Sequence, residues 1–257
     1  MAKPKQEEVE EIQPIIIEVP KETEKKKIDL DLWKPKTEIG RKVKSGEIKD
    51  INEILDKGMR VLEPEIVDIL IPNMESIIIG VGQSKGKFGG GKRSVWRQTQ
   101  KKTAEGNKPK FATVIAVGNK DGYVGIGKGK AKETVPAREK ATRKAKLNLI
   151  KIRRGCGSWE CECGEAHSIP FKIEGKCGSV RMTLIPAPKG TGLCVEKECK
   201  KILELAGIKD IYSRTFGQTR TKINHVYACF EALKKLGEVR IPEEYRSKAG
   251  IKEGRNE

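Results

Sequence analysis

The sequence is poor in histidine, in long apolar runs and, across its middle third, in acid. Only two of its 257 residues are histidines, His167 and His225. No Ser, Asp or Cys is set beside either in a pattern that would make a catalytic set, so general acid–base chemistry is a poor expectation. No apolar run approaches the ~20 residues that a membrane-spanning helix needs. The chain opens Met-Ala-Lys-Pro-Lys-Gln-Glu-Glu, without the apolar stretch of a signal peptide, so a cytoplasmic protein is expected. In that reducing setting the seven cysteines are expected as metal ligands or buried thiols rather than disulfides.

What is present in excess is positive charge. Lys and Arg total 53 against 36 Asp and Glu, a formal net charge of +17. The excess is concentrated. Between residues 82 and 154 there are 21 basic and 4 acidic residues, whereas residues 1–81 carry 14 and 18 and residues 155–257 carry 18 and 14. A charge merely for solubility would be spread along the chain. This one has the footprint of a surface that meets a polyanion.

Residues 1–49 read as an N-terminal extension. Its first 27 residues are rich in Glu and Lys around an Ile15-Ile16-Ile17 island and bury too little to fold alone. Residues 50–152 read as a first α+β domain. A helix is expected near Asp50 to Lys57, closed by Gly58, and Pro64 and Pro72 bracket the apolar run Ile66 to Ile71. Strands follow at Val95 to Lys101, Phe111 to Val117 and Tyr123 to Ile126, the last two joined by the turn Asn119-Lys120-Asp121-Gly122. A helix from Glu133 to Ile150 carries the small-residue stripe Ala137, Ala141, Ala145. The order is helix, three strands, helix.

Residues 153–168 form a Cys- and Gly-rich connector. Residues 169–237 read as a second, smaller α+β unit. Phe171 to Ile173 and Val180 to Ile185 pair as strands. A helix with Cys199, Ile202, Leu203 and Ala206 on one face ends at Gly207. A short strand spans Asp210 to Ser213, and an amphipathic helix carries Ile223, Val226, Tyr227, Phe230 and Leu233. Cys194, Cys199 and Cys229 are expected in helical, core settings. Residues 238–257 read as a polar, extended tail.

Three motifs carry chemistry. The glycine loop at residues 82–93 nearly matches a phosphate-cradling loop from Gly86 to Lys92, but Arg93 stands where Ser or Thr would bind magnesium. A mobile basic loop that wraps nucleic acid is the better reading, set against a plain solvated loop. Lys85, Lys87, Lys92, Arg93, Arg97, Lys101 and Lys102 are its candidate RNA contacts. Gly125-Ile126-Gly127-Lys128-Gly129-Lys130 follows a hairpin strand rather than the first strand of a βαβ unit, which argues against a dinucleotide fingerprint. Its glycines allow close approach, either to phosphate or to the next helix, and Lys128 and Lys130 stand just ahead of that helix. Cys156-x4-Cys161-x-Cys163-x3-His167 offers three thiols and an imidazole within twelve residues, a donor set suited to one structural zinc. Cys177 is an alternative fourth ligand, and a group of free thiols is the competing reading. Arg153 and Arg154, at the edge of this knot, are further candidates for RNA.

The run from Phe111 to Thr134, FATVIAVGNKDGYVGIGKGKAKET, closely resembles the universal small-subunit ribosomal protein S-five family. Ile169-Pro170-Phe171, Gly178-Ser179-Val180, Leu184 to Gly192 (LIPAPKGTG) and Leu205 to Ile211 (LAGIKDI) repeat the match in the same order. The likeness runs from about residue 60 to 237, and Arg153-Arg154-Gly155 with the C-terminal extension resembles the archaeal branch. The resemblance implies a domain like those that bind double-stranded RNA, followed by a small β-β-α-β-α domain. It implies a structural, non-enzymatic role: binding small-subunit rRNA, contacting ribosomal proteins S-four and S-eight, lying near S-three and the path by which mRNA enters, and supporting translational accuracy. On that resemblance Lys172, Lys176 and Arg181 are candidates for the protein interface. The rivals are a free-standing double-stranded-RNA-binding regulator and a nucleotide hydrolase.

Overall fold

The computed structural model describes residues 33–83, 93–161 and 163–254. Lys85, Lys87 and Lys92, with the glycines between them and the Ile15–Ile17 island, lie outside these residues. Three short helices come first: α1 (Glu38–Ser45), α2 (Ile51–Asp56) and α3 (Pro64–Leu70). Strands β1 (Glu75–Ile79), β2 (Arg97–Thr103), β3 (Gly106–Gly118) and β4 (Tyr123–Ala131) follow, then α4 (Thr134–Leu147), β5 (Leu149–Lys151) and the two-residue β6 (Arg153–Arg154). The second half holds β7 (Ile173–Cys177), β8 (Val180–Pro186), β9 (Leu193–Cys194), α5 (Lys197–Ala206), β10 (Ile211–Phe216) and α6 (Lys222–Glu238). It closes with α7 (Glu243–Lys248) and β11 (Lys252–Glu253). The fold is α+β, as expected.

The first sheet is built on the long β3. Its C-terminal half pairs with β1 and its N-terminal half with β2 along one edge, while β4 pairs along the other edge and β5 follows it. Side chains alternate across a sheet, so β3 presents two different faces. Ile115 and Val117 meet Ala141 and Ala145 of α4. Gly125, Gly127 and Gly129 of β4 lie under that helix. A Cβ at Gly127 would sit 2.2 Å from the Ala141 carbonyl oxygen, and one at Gly129 would sit 2.0 Å from that of Ala137. Of the two roles open to these glycines, the structure thus assigns close approach to the helix.

The opposite face of β3 and β4 presents Val114, Ala116, Val124 and Ile126 to α5. Cys199, Ile202, Leu203 and Ala206 of α5 then join Met182, Leu184, Val226, Phe230 and Leu233 in one continuous apolar cluster. The core therefore does not stop at residue 152. The turn at residues 119–122 seals this junction. Asn119 Oδ1 accepts from the N–H groups of Asp121 and Tyr123, with Lys120 at φ 60° and Gly122 at φ 90°. That shape lets the N–H groups of Lys120 and Gly122 cap the Leu205 and Ala206 carbonyls at the end of α5, at 2.9 and 3.2 Å.

The second sheet has the order β7-β8-β10-β9, and α6 covers one of its faces. Gly175 of β7 lets α6 approach, because a Cβ there would fall 2.1 Å from the Ala228 carbonyl.

Several expectations need correction. The apolar run after Pro64, to which the sequence assigns no element, is a helix, with proline in its first turn where no N–H partner is needed. Helix α1 and strands β1 and β5 were not foreseen. The tail after residue 238 is not simply extended, since it holds α7 and β11, and β11 pairs with β6. Cys194 is an exposed strand residue paired with Tyr212 rather than a helical core residue, because α5 begins only after Glu196.

Candidate RNA interface and cysteine cluster

Register decides which cations share a surface. Arg97 pairs with Ala112, Thr99 with Lys110 and Lys101 with Lys108, while Lys130 pairs with Ala112 and Lys128 with Val114. Directly paired residues point to the same side. Arg97, Lys101, Lys108, Lys110, Lys128 and Lys130 therefore form one cationic face, continuing the side that α5 covers further along β3 and β4. All six are exposed. Lys102 pairs with Asn107 and lies on the reverse face. Lys108 meets Glu105 at 2.6 Å in an exposed pair that adds little to stability. Among the described residues, the other five make no ion pair. Some cations elsewhere in this domain are held by acids: Lys120 by Glu75, Lys146 by Asp68 and Lys151 by Asp56.

Arg93 stands at the return of the glycine loop. The loop's two ends are clasped by Gly82 N–H to the Ser94 carbonyl, at 2.7 Å, and Ser94 N–H to the Gln83 carbonyl, at 3.0 Å. Arg93 and Arg97 line an open cleft of about 550 Å³ whose far wall carries Arg220 and Lys222 at the start of α6. Sequence reasoning missed Arg220 and Lys222, because nothing local places them opposite β2.

Arg153 and Arg154 do not join this face. Arg154 is 3% exposed, and its guanidinium donates to Asp121 Oδ1 at 2.8 Å and to the Gly254 carbonyl at 2.9 Å. Arg153 pairs with Glu253 at 2.8 Å and donates to the Leu236 and Val239 carbonyls. Both side chains bind the C-terminal segment to the body.

Lys172, Lys176 and Arg181 are exposed at the β7–β8 hairpin, on the sheet side away from α6. Lys176 and Arg181 are directly opposed, and Phe216 of β10 pairs with Arg181 on the same face. Phe216 is 52% exposed, and Tyr212, two steps along, is 40% exposed. The alternation Tyr212, Arg214, Phe216 would have revealed these aromatics from sequence. Like charges placed directly opposite destabilise a hairpin unless a partner screens them.

The third cluster lies between the two halves. The ligand-type atoms of Cys156, Cys161, Cys163 and His167 are all within 4.8 Å of one another. Cys177 lies in β7, paired with Val180, and is not among them. Cys161 Sγ lies 3.8 Å from His167 Nε2. His167 Nδ1 meets Asp210 Oδ2 at 2.9 Å, with both side chains buried. Asp210 Oδ1 accepts from the N–H groups of Gly190 and Gly192, at 3.1 and 2.8 Å. Backbone N–H groups of Lys189 and Cys163 bring the Cys161 thiol down to about 6, while burial and the neighbouring Cys163 and Cys161 thiols push Cys156 up to about 11. One thiolate is favoured here, and its charge opposes the next.

Comparison with known proteins agrees with this layout. Residues 95–153 match the family model described as "Ribosomal protein S5, N-terminal domain", and residues 175–245 match "Ribosomal protein S5, C-terminal domain". The chain is 52% identical over 227 residues to the small ribosomal subunit protein uS5 of Nanoarchaeum equitans, covering 88% of this chain and 97% of that protein. It is 48% identical over 229 residues to the uS5 protein of Methanocaldococcus jannaschii, covering 89% and 99%. It is 48% identical over 235 residues to that of Methanococcus maripaludis, covering 91% and 96%.

Proposed function

Because the chain belongs to the ribosomal protein S5 family, in its archaeal form, we propose that it binds small-subunit rRNA through the cationic face of β2, β3 and β4. It is a structural constituent of the small ribosomal subunit and not an enzyme. The observation that carries the RNA reading is the gathering of Arg97, Lys101, Lys108, Lys110, Lys128 and Lys130 on one side of a sheet, with Arg93 beside them and Arg220 across the adjoining cleft. The face has few acids and projects beyond the core. It therefore reads phosphate position and duplex shape, not base identity. Lys85, Lys87 and Lys92 of the glycine loop, outside the described residues, are proposed as further RNA contacts on their sequence alone.

The neighbouring proteins would meet the second sheet. Lys176 opposite Arg181, with Lys172 and the exposed Phe216 beside them, suits a partner that brings acidic side chains and an apolar anchor. Ribosomal protein S-four is the proposed occupant, with S-eight and S-three as further neighbours and the entering mRNA nearby. A change in this contact would then alter translational accuracy. Cosedimentation tests the reading. Full chain carrying Arg97→Ala, Lys110→Ala and Lys128→Ala should leave the small-subunit fraction of a sucrose gradient at moderate salt while remaining folded. Retention equal to the unaltered chain would remove this face from the RNA interface.

A further inference from the structure

The described residues between Cys156 and His167 contribute nothing to either proposed surface, yet they are held in a defined shape. The Gly155–Ser168 bridge closes the connector's base, and no strand or helix falls among the described residues from Cys156 to His167. Trp159, its large apolar side chain, is 90% exposed. No apolar packing of its own orders this segment. What converges instead is chemistry: three thiols and one imidazole nitrogen.

We infer that Cys156, Cys161, Cys163 and His167 Nε2 bind one zinc ion in a closed, structural site. A tetrahedral ion with bonds of about 2.3 Å to sulfur separates its donor atoms by roughly 3.8 Å. The Cys161–His167 distance is 3.8 Å and the whole set lies within 4.8 Å, so small side-chain adjustments close the cage. The histidine is already in the required tautomer. Asp210 is an acceptor, so the hydrogen on Nδ1 belongs to that bond, and the Nε2 lone pair is left facing the thiols. A carboxylate behind a histidine is the usual support of a zinc ligand. Here the carboxylate is itself anchored by Gly190 and Gly192. A peptide N–H also reaches one of the sulfurs, from Glu165 to Cys163 Sγ at 3.5 Å.

The donor set excludes hard cations, which prefer oxygen. Four protein ligands leave no open position for catalysis. A disulfide would use two of the thiols and leave the third and the buried imidazole unexplained. The other donor cluster, Glu196, Cys199 and His225, differs in that its carboxylate is already engaged by Lys222 and by the Glu198 N–H. The ion would join three separate stretches of chain. The connector supplies the ligands, the Pro186–Gly192 loop is gripped through Asp210 and Lys189, and the C-terminal segment is held by Cys156 N–H on the Ala249 carbonyl at 2.8 Å.

The test is zinc per chain by elemental mass spectrometry on full-length protein that has never met a chelator, followed by cobalt(II) replacement. One zinc is expected, with a tetrahedral cobalt spectrum that includes thiolate charge-transfer bands. Cys161→Ser or His167→Ala should lose most of the metal, Cys199→Ser should keep it, and Asp210→Asn should bind about 10–100-fold more weakly. Zinc-free protein whose reduced form also gives no tetrahedral cobalt spectrum would overturn the site. So would metal that follows Cys199 rather than Cys161. If the ligand variants do not fold, the wild-type cobalt spectrum still decides, because an octahedral spectrum without thiolate bands contradicts a three-sulfur site.

Discussion

Salt dependence is the sharpest test of the cationic face, because its size follows from a count of side chains. Six cations share that face, and each one that neutralises a phosphate releases counterions. The slope of log affinity against log salt is therefore about −0.9 for each contact on a duplex. Taken alone, the six contacts of this face predict a slope near −5.4, or a loss of roughly 2,000-fold between 50 and 200 mM salt. Lys101 and Lys110 lie on the projecting hairpin, exposed and remote from the core, so replacing both with Ala leaves the fold intact. The slope should then fall to about −3.6, and the loss over the same range to roughly 150-fold. Fluorescence anisotropy of the full chain on labelled small-subunit rRNA, titrated at several salt concentrations, reads this directly. Lys102→Ala, on the reverse face, provides the contrast and should change the slope less. A slope unchanged in the double variant, or an equal change for Lys102→Ala, would refute the assignment of faces.

Three further outcomes are expected. Gly127→Ala places a methyl group 2.2 Å from the Ala141 carbonyl, forcing α4 off the sheet at a cost of about 1–3 kcal/mol or more; a thermal melt like the wild type's would show that the helix yields freely. Arg154→Met removes the guanidinium's bonds to Asp121 and the Gly254 carbonyl, and losing hydrogen bonds of this charged, half-buried kind costs about 1.5–3 kcal/mol. In denaturant titrations stability should fall by that amount, while the salt slope of RNA binding stays put; a flattened slope would return Arg154 to the RNA surface. Burial raises the Glu63 carboxyl, but the N–H groups of Thr37 and Lys36 more than reverse this and hold it below its usual 4.5. Its stabilising contribution is therefore complete above that value and is lost as pH falls through the lower, folded value. Hydrogen exchange across α1 should accelerate on acidification below about pH 4.5; Glu63→Gln showing the same acid response would rule the carboxyl out.

The parts of the fold legible in the sequence were those governed by neighbours along the chain. The turn at residues 119–122 announces itself through Asn, Asp and Gly, and β3, β4 and α4 follow from period and β-branching. Helices α5 and α6 show their apolar stripes in the same way. The short elements α1, β1 and β5 escaped because runs of three to eight residues give too little periodicity to tell strand from helix. The C-terminal tail was misread because β11 is held by a strand about a hundred residues earlier, not by its own composition.

The same division holds for the sites. Charge density alone marked residues 82–154 as the candidate polyanion-binding region, and spacing alone grouped Cys156, Cys161, Cys163 and His167, since both are properties of a linear string. Only the tertiary structure decided which cations act together. Strand register put Arg97, Lys110 and Lys130 on one side and Lys102 on the other, and folding turned Arg153 and Arg154 inward onto Glu253, Asp121 and Gly254. It also brought Asp210 behind His167 from 43 residues away. Side-chain direction and long-range pairing depend on how the sheets close against α4, α5 and α6, and no local stretch of sequence carries that information.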